Sequence, residues 1–337
     1  MRPISAADAI TPAVLRMRDL LFRPFVFTTF LKLSLIAVLT EGYSGNFSSS
    51  WRNNTTIRNA PPSLPHIQPH FHWSPDLVAL IAGVILGAVL VGLLVAYVVI
   101  RLRFALFHCL VFDTTEIKPG WHLYREQAGR YFWLSVVVGF VFLAVILAIS
   151  IPFVLGFIRL FQASQGNQFD VAGFLAVFLP LIPVILLIVL ASVATTIILR
   201  DLMLPHMALD DATAGEAFRA ALHAVLREKG AFLLYALLRI ALPVAVIMGV
   251  GLAVLIPAFV TGVILAMLAK ASAALTVLLG LFAVAFVLAL ALGVGGPLSI
   301  SVRYYALIFY GSRYATLGAL LWPAPPEAAT TMPVPPA

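Results

Sequence analysis

The sequence is poor in cysteine, in charged residues and in motifs of known chemistry. Its 337 residues include one cysteine, Cys109, which excludes an intramolecular disulfide and a cysteine-rich metal site. Charged residues make up 10% of the chain, whereas soluble domains are about a quarter charged. A glycine-rich phosphate loop and a Gly-x-Ser-x-Gly motif are both missing, so an ATPase or a serine hydrolase lacks its usual sequence support.

Apolar residues are correspondingly abundant in the sequence. The chain is 62% hydrophobic, with a mean hydropathy of +1.05, and a soluble fold of this size could not bury so much apolar surface. The formal net charge of +7 could indicate a nucleic-acid partner. The basic residues lie at the ends of apolar runs instead, so we expect membrane lipids as partners and no nucleic acid.

The lengths of the apolar runs predict an all-α, polytopic transmembrane bundle of about six spans, because a bilayer core needs roughly 20 apolar residues of helix. The predicted spans are residues 24–39, 77–100, 131–158, 171–199, 231–268 and 272–302. They form a transmembrane domain over residues 24–314, which follows a cytoplasmic interfacial segment, 1–23, and precedes a Pro-rich, disordered tail, 315–337. The 72-residue stretch 231–302 could hold three spans instead of two.

Charge bias sets the predicted orientation, because loops on the cytoplasmic side carry an excess of lysine and arginine. With both termini inside, most basic residues fall on the inner side, and the outer side keeps Arg52, Arg58, Arg159 and Lys270. Removing the first span would move the N-terminal arginines outside. We therefore expect a multi-pass protein of a bacterial-type cytoplasmic membrane.

The inner loops have the pattern of amphipathic helices at the lipid interface. In the third, Thr213 and Glu216 have capping-box spacing, and apolar residues recur at helical spacing from Phe218 to Leu226. Two such loops align at an offset of 98 residues, which matches His108 with His206 and Asp113 with Asp211. They could be a duplicated helix–loop–helix unit, or simply two long inner loops of similar composition.

Two stretches resemble known families. The opening DLLFRPFVFTTFLKLSL and the later LRDLMLPHMALDDATAGEAFRAAL are similar to uncharacterised bacterial multi-spanning membrane-protein families, and to the membrane domain fused to some glycerophosphodiesterases. The residues that carry the likeness are few: Arg23-Pro24-Phe25, Pro205, Met207 and Ala217 onward. The catalytic soluble domain of those enzymes has no counterpart in these residues, so the resemblance implies topology alone.

Histidines supply the candidate chemical sites. His66, His70 and His72 lie within seven residues and could bind zinc or copper, but no acidic residue or cysteine nearby completes a metal site except Asp76. The pairs His108/Asp113 and His206/Asp211 could act as acid–base groups. We expect no metal, no cofactor and no catalytic residue, since polar anchors at helix ends explain these residues equally well.

Lys32 and Arg239 are the charges that fall inside the predicted spans, where charged side chains are costly and often functional. Each side chain is long enough to reach toward the inner surface. Every acidic residue falls in a loop, at a span end or in a tail. Since coupled transporters usually need an acidic residue within a span, this distribution argues against secondary active transport.

These observations favour a non-enzymatic membrane scaffold or accessory subunit. Gly83 and Gly87 form a Gly-x-x-x-Gly pattern, which favours close helix packing within the bundle or contact with another membrane protein or a second copy. The alternatives are a transporter or permease subunit that uses Arg239, and an intramembrane lipid-modifying enzyme that uses His108 or His206.

The charge bias generates a testable topology. Reporter fusions after Arg125 and after Arg219 are expected to report the cytoplasmic side, and a fusion after Arg159 the opposite side, because the basic loops stay inside. Alkaline phosphatase and fluorescent-protein fusions measure this. A periplasmic signal after Arg125 or Arg219 would invert the map.

Overall fold

The described part of the chain folds into helices without strands, which confirms the predicted all-α class. A computed structural model describes residues 3–42, 75–163, 171–269 and 273–323. Within these ranges the helices are α1 (Ile10–Phe22), α2 (Phe27–Gly42), α3 (Pro75–Val111), α4 (Ile117–Leu123), α5 (Arg125–Ala163), α6 (Val171–Phe178), α7 (Leu181–Ile197), α8 (Leu204–Leu209), α9 (Ala214–Arg227), α10 (Lys229–Ala269), α11 (Ala273–Leu290), α12 (Gly296–Gly311) and α13 (Ala315–Leu321). Two π-helical segments, Ile198–Met203 and Ala291–Gly295, join α7 to α8 and α11 to α12.

Five helices in the described ranges are long and apolar enough to cross a membrane. They cover Pro75–Val111, Arg125–Leu160, Leu181–Leu209, Lys229–Leu255 and Val277–Gly311. The protein is therefore membrane-embedded. The ends of these helices differ from the predicted span ends. The helix that corresponds to the predicted span 171–199 begins ten residues later, at Leu181, because α6 and α7 are separated at Leu179 and Pro180.

The predicted first span falls on α2, which has 16 residues and is not among the five. The backbone carbonyl of Thr40, near the end of α2, accepts a hydrogen bond from Arg103 in α3. At 1.5 Å per residue, α3 extends about 42 Å from Arg103 back to Pro75. Helix α2 therefore ends well short of the start of α3, and a sixth span stays a prediction.

Buried residues concentrate at one end of the bundle, which we call the packed end. It comprises α1 and α2 with residues 99–131, 197–239 and 296–322. At the opposite end, which we call the open end, every residue of α3 from Pro75 to Val95 is exposed. Apolar residues can stay exposed there because lipid is as apolar as they are.

The packed end is built around α12, whose aromatic side chains face several helices. Tyr235 of α10 stacks on Phe309 and Tyr305 of α12, with ring centroids 4.5 and 5.2 Å apart. Helix α1 lies along α12 and buries Ala13, so the segment 1–23 that was expected at the interface contains a helix that packs against protein on one face. Position in the lipid interface stays a prediction for α1 and α9.

The two loops matched by the repeat have the same backbone conformation at the same place. Asp113 and Asp211 have positive φ angles of 48° and 49°, and no other non-glycine residue described has one. Aspartate is among the few residues that adopt this conformation readily. Each aspartate lies two residues after the end of a helix. The last residues of these two helices, Val111 and Leu209, are also 98 residues apart, which supports a duplicated unit.

The capping box at the start of α9 is confirmed. The Thr213 hydroxyl accepts a hydrogen bond from the Glu216 backbone N–H, and the Glu216 carboxylate accepts bonds from the Thr213 N–H and hydroxyl. These bonds lower the pKa of Glu216 because they stabilise the ionised form. The cap explains why the helix begins at Ala214.

Two expectations about the fold were wrong. The tail was expected from residue 315, but α13 packs on α12 and buries Leu317 and Leu321, so packed structure extends to Trp322. Close packing at Gly83 and Gly87 is not seen, since no described atom lies within 4 Å of a Cβ built at either position. Contact of this face with a second copy stays a prediction.

The crossing of α2 and α12 generates a stability prediction. A Cβ on Gly296 would lie 2.3 Å from the Ser34 Cβ, so Gly296→Ala is expected to lower the free energy of unfolding by about 1–3 kcal/mol through overpacking. Gly293→Ala is the control, because a Cβ there meets nothing within 4 Å. Thermal unfolding in detergent measures both, and equal melting temperatures would contradict the crossing.

Candidate functional site

Six charged residues from five helical segments meet inside the bundle at the packed end. We call them the ion network: Glu41 of α2, Arg103 of α3, Arg200 and Asp201 of the first π-helical segment, Arg239 of α10, and Arg303 of α12.

Asp201 is the more deeply buried carboxylate of the network, with 1% of its side chain exposed. Its Oδ2 atom accepts hydrogen bonds from the Tyr235 hydroxyl at 2.8 Å and from the Arg239 Nε at 2.9 Å. Its Oδ1 atom lies 3.8 Å from Nη1 of Arg303. A buried carboxylate is stable only with such partners, because the desolvation of an isolated charge is very unfavourable.

Glu41 is the second carboxylate, and it lies among three arginines. Its Oε1 atom is 2.8 Å from the Arg303 Nε and also pairs with Arg200, and its Oε2 atom is 3.8 Å from an Arg239 nitrogen. Glu41 lies in the last turn of α2, so its ion pairs join this turn to the first π-helical segment, α10 and α12.

The π-helical segment explains how two adjacent residues both face the interior. A π-helical turn holds more residues than an α-helical turn, so neighbouring side chains diverge less. Arg200 and Asp201 are both 3% exposed as whole residues. Such π-helical turns occur frequently at functional sites.

Positive charge exceeds negative charge in the network. Among the described residues it contains four guanidinium groups and two carboxylates. The Nη2 atom of Arg303 is buried and has no hydrogen-bond partner among these residues, although 9% of the side chain is exposed. Among its described members the network therefore has more basic than acidic groups, and the Nη2 atom of Arg303 is a donor without a described acceptor.

Three cavities adjoin the ion network. The first, of about 370 Å³, is lined by Arg103, Arg200 and residues of α5 and α7. The second, of about 850 Å³, is lined by Glu41, Arg239 and apolar residues of α10 to α12. The third, of about 20 Å³, is lined by Arg103, Arg200, Asp201 and Arg303, and it has room for one water molecule.

A family model described as "Family of unknown function (DUF7544)" matches residues 4–320. The chain belongs to this family. Comparison with curated proteins gives no match, and comparison with solved structures gives none. The matched range of the DUF7544 family includes every residue of the ion network, and its description assigns no activity.

Of the two charges expected inside spans, the structure brings one into the site of this DUF7544 protein. Arg239 is 11% exposed at its side chain and pairs with Asp201 and Glu41, so its charge is compensated inside the bundle. Lys32 is exposed on α2, and no ion pair involving it is seen in the described ranges.

The structure describes the candidates His108 and His206, and the three clustered histidines fall on residues that it does not describe. His66, His70 and His72 lie outside the described residues. Within the described ranges no three histidine, cysteine or acidic residues are grouped to hold a metal. His206 contacts Asp210, at 3.2 Å, and the Tyr310 hydroxyl, at 2.8 Å.

Neither expected His/Asp pair forms. Asp211 accepts hydrogen bonds from Gln127 and Arg130 instead of His206, and Asp113 accepts one from the Tyr304 hydroxyl. The Nδ1 atom of His108 is buried with no partner among the described residues. The five-residue spacing explains this result, because residues five apart on a helix do not share a face.

Two acidic residues that the sequence placed just beyond span ends, Glu41 and Asp201, pair with arginines inside the bundle. Asp201 lies within the apolar helix Leu181–Leu209, and Glu41 joins the same network. Both follow or precede charged or polar residues at the end of an apolar run, where a loop was expected. The adjacent Arg200-Asp201 pair was the signal that the sequence analysis missed. Because its two opposite charges can both find partners inside the bundle, the helix continues past residue 199 to Leu209.

The network generates a stability prediction. Asp201→Asn is expected to lower the free energy of unfolding by about 3–5 kcal/mol, because it leaves buried arginines without their carboxylate. Asp19→Asn is the control, since the Asp19 pair with Arg18 is about half exposed and contributes at most about 1 kcal/mol. Denaturant unfolding in micelles measures both. An equal effect of the two changes would mean that the network adds nothing to stability.

Proposed function

We propose that the protein is a transporter, or the permease subunit of one, for an anionic solute. The observation that carries the proposal is that residues of the ion network line two large cavities. Arg103 and Arg200 line one of them, and Glu41 and Arg239 line the other. A solute on a path that joined the two cavities would meet these charges.

The smaller cavity is the better candidate for the binding site, because its lining is polar at a depth where the surrounding helices are apolar. Ser135 of α5 and Ser192, Thr195 and Thr196 of α7 supply hydroxyl groups beside the two arginines. A volume of about 370 Å³ is within the range of small-molecule sites, which bind through a few well-placed polar groups.

The larger cavity supports the proposal as a second route of access. Its polar residues, Glu41, Arg239 and Ser299, lie beside a long apolar lining. Several lining side chains, including Ile247 and Val287, are more than 60% exposed, so this cavity opens on the outer surface of the bundle. An anionic solute with an apolar part would suit it.

The ion network has the properties of a gate. Arg239 pairs with Asp201 at 2.9 Å and with Glu41 at 3.8 Å, so a small movement of α10 could exchange its partner. Transporters commonly bind solute where helices are interrupted and then rock one bundle against another. The π-helical segments interrupt two of the spans here.

A scaffold or accessory-subunit function has its own support. The Gly83 and Gly87 face of α3 contacts nothing among the described residues, and small residues allow close approach of another helix. This second function and a permease subunit are compatible, since a subunit also needs a docking face.

Flux into proteoliposomes tests transport. Ser192→Trp is expected to abolish the uptake of anionic solutes, because the indole ring would fill the mouth of the polar cavity, where Ser192 is exposed. The control is Leu187→Trp on the same helix, which is 66% exposed and lines no described cavity. Uptake of radiolabelled anions from a broad panel is the measurement.

The outcomes separate the two functions. Uptake that survives Leu187→Trp and is lost in Ser192→Trp supports transport through the cavity. No uptake of any anionic, cationic or neutral solute, together with stable co-purification of one membrane partner, would reject transport in favour of the scaffold. Uptake that is equal in both variants would reject this cavity as the route.

A further inference from the structure

We infer that an apolar crevice between α1, α10 and α12 binds a single glycerophospholipid, whose ester carbonyl accepts a hydrogen bond from the Tyr305 hydroxyl. We call this space the lateral crevice. It is a different cavity from the three beside the ion network, so lipid binding there goes beyond the proposed transport and does not depend on it. The lining of the crevice, one buried hydroxyl group and the depth of that group in the membrane support the assignment.

The lateral crevice has a volume of about 340 Å³ and an almost wholly apolar lining. Leu242 and Val246 of α10 line it, together with residues of α12 and of the π-helical segment before α12. One face of α1 completes the lining, with apolar residues at helical spacing: Ile10, Ala13, Val14 and Met17. Val14 is 46% exposed and Val246 is 38% exposed, so the crevice opens sideways on the outer surface of the bundle, where acyl chains are the solvent.

Hydrogen bonds hold the chain around α1 near the end of α12. The Ile4 backbone N–H donates to the Ser312 hydroxyl at 3.2 Å, and the Arg16 guanidinium donates to the Leu321 carbonyl. The same guanidinium lies over the Trp322 ring, 5.7 Å from its centroid. All three partners follow Gly311, where the last span ends. Helix α1 is therefore fixed at the surface end of the crevice.

The Tyr305 hydroxyl is the polar group that the crevice offers to a ligand. Tyr305 is 1% exposed and stacks on Tyr235, and its hydroxyl is buried with no hydrogen-bond partner among the described residues. Tyr305 lines the lateral crevice and none of the three cavities beside the ion network. The Ser301 hydroxyl lines the same crevice but donates to the Pro297 carbonyl. A buried donor without an acceptor is unfavourable, and an acceptor bound in the crevice would remove this penalty.

The depth of Tyr305 matches that of the ester groups of a phospholipid. Tyr305 lies about 9 Å before Gly311, the end of the span, at 1.5 Å per residue. The headgroup layer on each side of a bilayer is roughly 5–8 Å thick. The hydroxyl therefore lies close to the boundary at which glycerol esters join the headgroup to the hydrocarbon.

The rest of the crevice matches the length of an acyl chain. Gly293, which also lines the crevice, lies about 18 Å further along the span than Tyr305 at 1.5 Å per residue. The hydrocarbon of one leaflet is about 15 Å thick, half of the bilayer core. One acyl chain of the leaflet therefore fits along the apolar lining below Tyr305.

The chemistry of the lining favours an ester lipid over other apolar molecules. No charged residue is among those that line the crevice, so a headgroup stays at the surface, beside α1. An alkane would leave the Tyr305 hydroxyl unpaired, and a fatty acid has its acceptors at the membrane surface. A glycerophospholipid has a carbonyl acceptor between its headgroup and its chain, which is the position that Tyr305 requires.

A second crevice of the same construction shows what is particular to the first. It also has a volume of about 340 Å³, and it is lined by α5, by α7 with the first π-helical segment, and by Phe218 of the amphipathic α9. None of its lining residues has a buried side-chain polar atom without a partner in the described ranges. Shape alone therefore does not distinguish the lateral crevice, and the Tyr305 hydroxyl does.

A comparison of ester and ether lipids tests the inference. The detergent-purified, full-length protein is titrated with dioleoyl phosphatidylglycerol and with its dioleyl ether analogue, which has the same headgroup and chains but no carbonyl groups. Native mass spectrometry measures the affinity for the first bound lipid. We expect the ester lipid to bind about three- to tenfold more tightly, which corresponds to one hydrogen bond.

Two tyrosine variants isolate the hydroxyl group. Tyr305→Phe keeps the aromatic ring and is expected to bind both lipids with the affinity that the unchanged protein has for the ether lipid. Tyr97→Phe on α3 is the control, because the Tyr97 ring contacts Phe132 and does not line the crevice. This control is expected to keep the full preference for the ester lipid.

Two tryptophan variants of α10 test the place of binding. Val246→Trp is expected to weaken the binding of both lipids about tenfold or more, because the indole ring would occupy the space of the acyl chain. Met248→Trp is the control, since Met248 is 68% exposed and lines none of the cavities described above. Both positions are exposed, so neither change disturbs the packed end.

The outcomes separate lipid binding from hydration of the hydroxyl. Loss of the ester preference in Tyr305→Phe, with unchanged affinity for the ether lipid, supports the inference. Equal affinities of the unchanged protein for the two lipids, or an equal preference in Tyr305→Phe and Tyr97→Phe, would mean that water satisfies the hydroxyl and would overturn it. Equal binding by Val246→Trp and Met248→Trp would place the lipid elsewhere and overturn it as well. None of these results depends on solute uptake.

Discussion

The buried ion network is the constraint on which the rest of the structure depends. Charges can stay in an apolar interior only when oppositely charged groups and hydrogen bonds surround them. Here the six residues come from five helical segments, so compensation requires that α2, α3, α10, α12 and the first π-helical segment keep their relative positions. The network therefore constrains the register of these helices, and its residues line the two large cavities.

The contrast between the two ends of the bundle follows from the solvent of each end. At the open end, lipid is as favourable a neighbour for leucine and valine as another helix is, so α3 is exposed from Pro75 to Val95. At the packed end, aromatic rings and charged groups need specific partners. Tyr235 is an example, because its ring stacks on Tyr305 and Phe309 and its hydroxyl donates a hydrogen bond to Asp201. The buried core and the ion network are therefore at the same end of the bundle.

Local signals predicted local structure well. The Thr213 and Glu216 spacing predicted the cap of α9 because both partners lie within one helical turn. The apolar runs predicted helices at the right places, and the alignment of Asp113 with Asp211 matched two equal backbone conformations. The span ends were less accurate. An apolar run can be followed by an arginine at the membrane surface or by an arginine in a buried ion pair. The sequence before the arginine is of the same kind in both cases, so it does not determine where the span ends.

Composition and periodicity by themselves determined that this chain is a helical membrane protein, because the apolar stretches are too long and too numerous for any other solvent. They also identified Arg239 as an unusual charge, since the energetic penalty of its position depends only on the surrounding residues. The tertiary structure alone decided that Glu41 and Asp201 are its partners. These residues are separated by long stretches of chain, and only the packing of α2, the first π-helical segment and α10 brings them within ion-pair distance.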